Sequence, residues 1–117
     1  MTADPSTFAR SWIEAWNAHD LDAVLDHFSD DVVFSSPLVA SIVGEPSGSV
    51  TGKAALRAYW EEGLRRIPDL RFELVEVYAG VDSIAITYRN QGGRSCCETV
   101  VLGPDGRAAR GWALYGS

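Results

Sequence analysis

Between Phe8 and Pro37 the chain reads FARSWIEAWNAHDLDAVLDHFSDDVVFSSP, which is a helix, a cap, a second helix and a strand with no spare residue between them. Just upstream, Asp4 can cap free backbone N–H groups and Pro5 suits the first helical position. The first helix is expected to run to about Ala18. Phe8, Trp12 and Trp16 recur every fourth residue beside Ile13 and Ala15, against a polar face of Arg10, Glu14 and Asn17. Such a stripe needs a surface to pack on. Asp20 can cap a second short helix whose apolar positions are Leu21, Val24, Leu25 and Phe28. Val32, Val33 and Phe34, between Asp30–Asp31 and Pro37, then make a short strand.

The stretch from Leu38 to Thr51 carries Gly44, Pro46, Ser47, Gly48 and Ser49 and reads as a loop. A third helix is expected from near Thr51, presenting Leu56, Tyr59, Trp60, Leu64 and Ile67 until Pro68 ends it. Gly52 and Lys53 do not make a phosphate loop, because position 47 is Ser where the first glycine belongs and Ala54 follows the lysine.

From Leu70 the apolar period changes from 3.6 to 2, and four antiparallel strands are expected, near residues 70–79, 83–89, 94–102 and 107–115. In the first, the apolar parity switches from Leu70, Phe72 and Leu74 to Val75, Val77 and Ala79, which predicts a bulge near Leu74. Helices followed by strands define an α+β fold: a curved antiparallel sheet wrapped by three N-terminal helices, in one domain spanning residues 1–117. A chain of this length hides roughly two thirds of its unfolded surface, enough for a real core.

Across the turn Gly103-Pro104-Asp105-Gly106, pairing Leu102 with Arg107 sets Val100 opposite Ala109 and Glu98 opposite Gly111. One face then carries Cys96, Glu98, Val100, Leu102, Gly111, Ala113 and Tyr115. The other carries Cys97, Thr99, Val101, Trp112 and Leu114. Both contain apolar groups, so the face not covered by helices needs a partner, and a two-fold homodimer is the expected one.

Composition bounds the function. Net charge is −6, which argues against nucleic-acid binding, since that needs a basic surface. No apolar run approaches the length that crosses a bilayer. The start MTADPSTFAR lacks the features of a secretory leader, so a cytoplasmic location is expected. Cys96 and Cys97 are adjacent on a strand, point to opposite faces and are expected to be free thiols. His19 and His27 have no partner motif, so neither a metal nor a cofactor is expected.

The segments WNAHD, LDAVLDHFSDDVVF, SSP, TGKAALRAYW and GRAARGWALYG together resemble the SnoaL-like group of the nuclear transport factor two-like superfamily, which includes polyketide cyclases and ketosteroid isomerases. The resemblance covers nearly the whole chain. It implies a conical pocket on the concave side of the sheet and a dimer through the convex side. In the isomerase branch, a tyrosine on the first helix and a late-strand carboxyl hold an oxyanion while an aspartate before the strand-ending proline moves the proton. Here those positions resemble Trp12, Glu98 and Ser36. Trp12 cannot move a proton and an unactivated serine is too weak a base, so ketosteroid isomerase activity is disfavoured.

Glu98 is the candidate catalytic group, since burial in an apolar concavity would tune its carboxyl toward neutrality for acid–base work. The alternatives are an ion pair with Arg89, Arg94 or Arg110, or simple exposure. Trp12, Trp16, Phe34, Tyr59, Trp60, Val100 and Tyr115 are candidate pocket residues or plain core, and Ser36 and Tyr88 are candidate orienting hydroxyls or backbone-bonded side chains. His27 reads as a surface or capping residue. The expected ligand is a small hydrophobic molecule bearing a carbonyl or hydroxyl. The expected function is its binding or its cofactor-free, acid–base conversion by an isomerase-, cyclase- or hydrolase-like activity. The alternative is a non-catalytic dimeric interaction module with a filled core.

Overall fold

Capping sets where the first helices begin. In the computed structural model, which describes residues 4–117, the Asp4 carboxylate accepts from the Thr7 backbone N–H and Pro5 opens α1, Pro5–Asn17. Phe8, Trp12 and Trp16 are buried along its length. Asp20 accepts from the Ala23 N–H and starts α2, Leu21–Leu25, which packs on α1.

Phe28 does not continue the α2 stripe. It opens β1, Phe28–Ser35, where it pairs with Ala108 and is fully buried. The stretch expected to be a loop holds a further helix, α3, Pro37–Val43, and a short strand, β2, Ser49–Thr51. The helix has ordinary causes: Ser36 Oγ accepts from the Leu38 N–H, Pro37 sits at the first position, and Gly44 ends it at φ 74° in the left-handed region. β2 folds back antiparallel on β1, with Ser35 opposite Ser49. α4 spans Lys53–Arg66 and stops before Pro68, so four helices lie among the described residues where three were expected.

The remaining strands are β3, Glu73–Ala79; β4, Ser83–Arg89; β5, Ser95–Leu102; and β6, Ala108–Tyr115. They join one curved sheet, which does not close, in the order β2-β1-β6-β5-β4-β3. All neighbours are antiparallel except β1 and β6, which run parallel. That exception corrects the expected all-antiparallel sheet. It arises because the strands at the two ends of the chain meet, with the intervening elements serving as the crossover that parallel pairing requires.

The predicted bulge is present. The β3–β4 register shifts between Leu74 and Glu76, and Val75 is left 49% exposed. Between β5 and β6 the register differs from expectation: Val100 lies opposite Gly111 and Glu98 opposite Ala113. The turn between these strands is longer than expected, with a further shift between Val101 and Leu102. From Cys96 to Val101 the offset is two residues, so these side chains and their partners keep the predicted face; past the shift it is one, and Ala108 opposite Leu102 is buried.

Gly111 shows how tightly the inner face is packed. A Cβ built there would come within 2.9 Å of the Phe34 ring, so the absence of a side chain lets β1 present that ring to the core. The core lies between the concave face of the sheet and the helices.

Candidate functional site

The inner face of the sheet and the helices leave a cavity of about 90 Å³. Its wall takes Trp12 and Trp16 from α1, Tyr59 and Trp60 from α4, and Phe34 from β1. Tyr88, Glu98 and Tyr115 come from β4, β5 and β6. The wall also uses Leu38 and Ile42 from α3 and Phe72 just ahead of β3, to which the sequence reading assigned no site role. Gln91, exposed in the β4–β5 turn, marks the side nearest solvent.

Two candidates lie behind the wall rather than on it. Val100 is wholly buried core, next to Gly111. Ser36 is buried and accepts from both the Leu38 N–H and the Tyr59 hydroxyl, each at 3.2 Å. Tyr59 is held well above the ordinary tyrosine range, chiefly by burial, with the Ser36 hydrogen bond opposing.

Glu98 is the distinctive group. It is 2% exposed, and its Oε2 has no hydrogen-bond partner. No arginine reaches it: Arg94 donates through Nε to the Gly116 carbonyl and lies over the Tyr115 ring, while Arg110 lies over Trp112. Burial pushes the Glu98 carboxyl well above the usual carboxylate range. Burial likewise raises Tyr88 and Tyr115. A neutral carboxyl in this setting can donate a hydrogen bond or a proton to an oxygen placed beside it.

The Nε1 atoms of Trp12 and Trp16 are also buried without an acceptor. Each such group forgoes about 1–3 kcal/mol of hydrogen bonding it would have in water. Together with Glu98 Oε2 they are the unsatisfied buried side-chain atoms among the described residues, and all three belong to residues of this wall.

The edge of the wall is held by Asn17, whose side chain exchanges two hydrogen bonds with the Phe72 backbone. Phe72 in turn stacks on Trp12 with ring centroids 5.7 Å apart. His27 lies away from the cavity, with Nδ1 2.9 Å from the Ala23 carbonyl, Nε2 3.1 Å from Ser11 Oγ, and its ring on Phe8. It serves packing. Cys96 lines the cavity and Cys97 faces the other way, and both are free.

Cys97, Thr99, Val101, Trp112 and Leu114 lie together on the convex face, where all are half-buried except Leu114, which is 51% exposed. Among the described residues no helix is long and apolar enough to cross a membrane, and no cluster of three metal-capable side chains occurs.

A curved open sheet whose concave face is capped by helices around an aromatic cavity defines a cone-shaped α+β protein. The chain belongs to the SnoaL-like family, whose domain profile matches residues 9–115. It is similar to a SnoaL-like protein of unknown function from Burkholderia thailandensis, with 50% identity, a TM-score of 0.92, and coverage of 97% of this chain and 94% of that one. Two more distant structures share the fold. TerC, crystallised with polyporic acid, is 13% identical with a TM-score of 0.79, over 96% of this chain and 91% of its own. A provisional isomerase of the SnoaL-like family from Agrobacterium tumefaciens is 17% identical with a TM-score of 0.77, over 97% of both chains. No match is found among curated proteins.

Proposed function

We propose that the cavity binds a small, mostly apolar molecule and that Glu98 acts on an oxygen of that molecule as an acid–base group. One observation carries this reading: a carboxyl that is 2% exposed stands on a cavity wall with no partner for Oε2. Buried polar atoms in folded chains are nearly always hydrogen-bonded, and a carboxyl serving only structure would be paired with an arginine or with backbone donors. A group kept unpaired is available to a ligand.

The chemistry follows from the protonation state. Held neutral, Glu98 can protonate an enol at carbon, and the carboxylate so formed then takes the enol hydroxyl proton as the carbonyl forms, which returns the acid. That is the class of step used in isomerisation and cyclisation of enolisable compounds. The fold is shared with a protein described as an isomerase and with one co-crystallised with a small molecule, polyporic acid, which agrees with a small-molecule ligand. A cavity of about 90 Å³ favours the second reading, an interaction module whose core is nearly filled. The unpaired carboxyl favours the first.

A thermal-shift screen of apolar carbonyl and hydroxyl compounds separates the two. A ligand present at 100 times its Kd should stabilise the wild type by about 2.7 kcal/mol, and Glu98→Gln should lose most of that gain. Compounds that stabilise both proteins equally would overturn the role of Glu98. The absence of any stabilising compound would favour the interaction module.

We also propose a homodimer through the convex face, supported by the apolar groups Val101, Trp112 and Leu114 gathered there.

A further inference from the structure

Trp12 and Trp16 sit one turn apart on α1, their rings edge to face at 6.4 Å, and both line the cavity. In the packing, Trp12 lies on Phe72 and Trp16 on Trp60 through ring carbons, contacts that do not use the indole N–H. Phenylalanine offers aromatic bulk without a polar atom. Elsewhere in the interior the polar side chains are satisfied, Ser36 by Tyr59 and Asn17 by Phe72, whereas both indole N–H groups are left without acceptors. Two buried donors without acceptors, on residues one helical turn apart in the same wall, are an exception among buried polar groups.

Charge narrows what they could receive. No lysine, arginine or histidine lines the cavity, and its one acidic residue is Glu98. A carboxylate or phosphate entering here would lie beside a buried carboxyl with no counter-charge. A cation would need Glu98 ionised, which its burial opposes, so an uncharged ligand fits this lining. Size narrows it again, since a dry cavity of about 150 Å³ is known to take up benzene. At about 90 Å³ this cavity admits at most one ring after modest widening, and anything larger must extend past Gln91.

We infer that the substrate class is an uncharged single-ring compound with acceptor oxygens on two sides, one received by the Trp12 and Trp16 N–H groups on the helix wall and the other by Glu98 on the sheet wall. This rests on the reading of Glu98 proposed above, and it makes the two indoles specificity determinants of the same site.

The test uses five probes of one ring each: para-hydroxyacetophenone, acetophenone, ethylbenzene, para-hydroxybenzoate and tyramine. Binding is followed by calorimetry and by the four tryptophan indole N–H resonances of nitrogen-labelled protein. The expected affinity order is para-hydroxyacetophenone, then acetophenone, then ethylbenzene, with the anion and the amine weakest. The ketones should move the Trp12 and Trp16 resonances downfield, and ethylbenzene should not. Trp12→Phe and Trp16→Phe should each lower the affinity for para-hydroxyacetophenone relative to that for ethylbenzene roughly fivefold, the loss of one hydrogen bond, whatever the wider cavity does to both.

Should a variant fail to fold, the wild-type order and resonances decide the matter. Equal binding of ethylbenzene, tighter binding of the benzoate or of tyramine, or unmoved indole signals would overturn the inference. Ketone binding that depends on Glu98 but ignores the indoles would overturn it while sparing the acid–base reading. Dependence on the indoles but not on Glu98 would overturn the acid–base reading and, with it, the two-sided ligand inferred here. No binding by any probe would overturn both.

Discussion

Asn17 and Phe72 hold each other by two hydrogen bonds: Asn17 Nδ2 donates to the Phe72 carbonyl at 2.9 Å, and the Phe72 N–H donates to Asn17 Oδ1 at 2.7 Å. The pair joins the end of α1 to the chain entering β3 and so fixes Phe72 against Trp12. Asn17→Ala leaves one backbone donor and one acceptor unpaired. Urea unfolding should show a loss of about 1–3 kcal/mol, and Asn17→Asp should also lose stability, since a carboxylate accepts from the Phe72 N–H but cannot donate to the Phe72 carbonyl.

Glu98 should make stability depend on pH. Its carboxyl is raised in the folded state, so above its ordinary value of 4.5 the folded chain binds a proton that the unfolded chain has released. The contribution of Glu98 is thus complete below about pH 4.5 and is lost as pH rises toward its folded value. The slope reaches at most about 1.4 kcal/mol per pH unit. Glu98→Gln should flatten the unfolding free energy between pH 5 and 8, to within about the precision of denaturant extrapolation, and leave the variant the more stable protein at the upper end. An unaltered slope would mean that the carboxyl is not held neutral.

How much of this was legible in the sequence depended on whether the signal was local. The strand Cys96 to Leu102 shows which side chains share a face because a period of two is written in adjacent residues, and a register error of two does not disturb it. α3 had local signals too, in Ser36-Pro37 at its start and Gly44 at its end, but the glycine, proline and serine that follow outweighed them and made the segment read as loop. Phe28 likewise fits the α2 stripe, and only its pairing with Ala108, eighty residues on, makes it a strand residue. The Asn17–Phe72 clamp spans 55 positions and leaves no local trace. Whether an indole N–H finds an acceptor depends on every element around the cavity, so the unsatisfied atoms of Trp12 and Trp16 could not be read from α1 alone.

Gly111 should resist substitution. Gly111→Ala would place its methyl group 2.9 Å from the Phe34 ring, and the ring must shift within a packed core. Denaturant unfolding should show a loss of about 1–3 kcal/mol. A companion change of Phe34→Leu, which frees space, should recover part of that loss relative to Phe34→Leu alone.

The convex face carries its own test. If Trp112 lies in a two-fold interface, Trp112→Glu buries a like charge against its symmetry mate and should give a monomer in sedimentation. The variant should remain folded, because Trp112 is only half-buried within one chain. A dimer that persists would rule this face out as the contact.

An infrared difference spectrum between the wild type and Glu98→Gln at neutral pH, taken before and after addition of para-hydroxyacetophenone, bears most directly on the site. A buried, unpaired Glu98 should give a carboxylic-acid C=O band that the variant lacks, and the ketone should shift that band as the acid hydrogen-bonds to it. A spectrum with no acid band, in which Glu98→Gln removes only carboxylate absorption, would contradict the neutral acid on which the proposed chemistry rests.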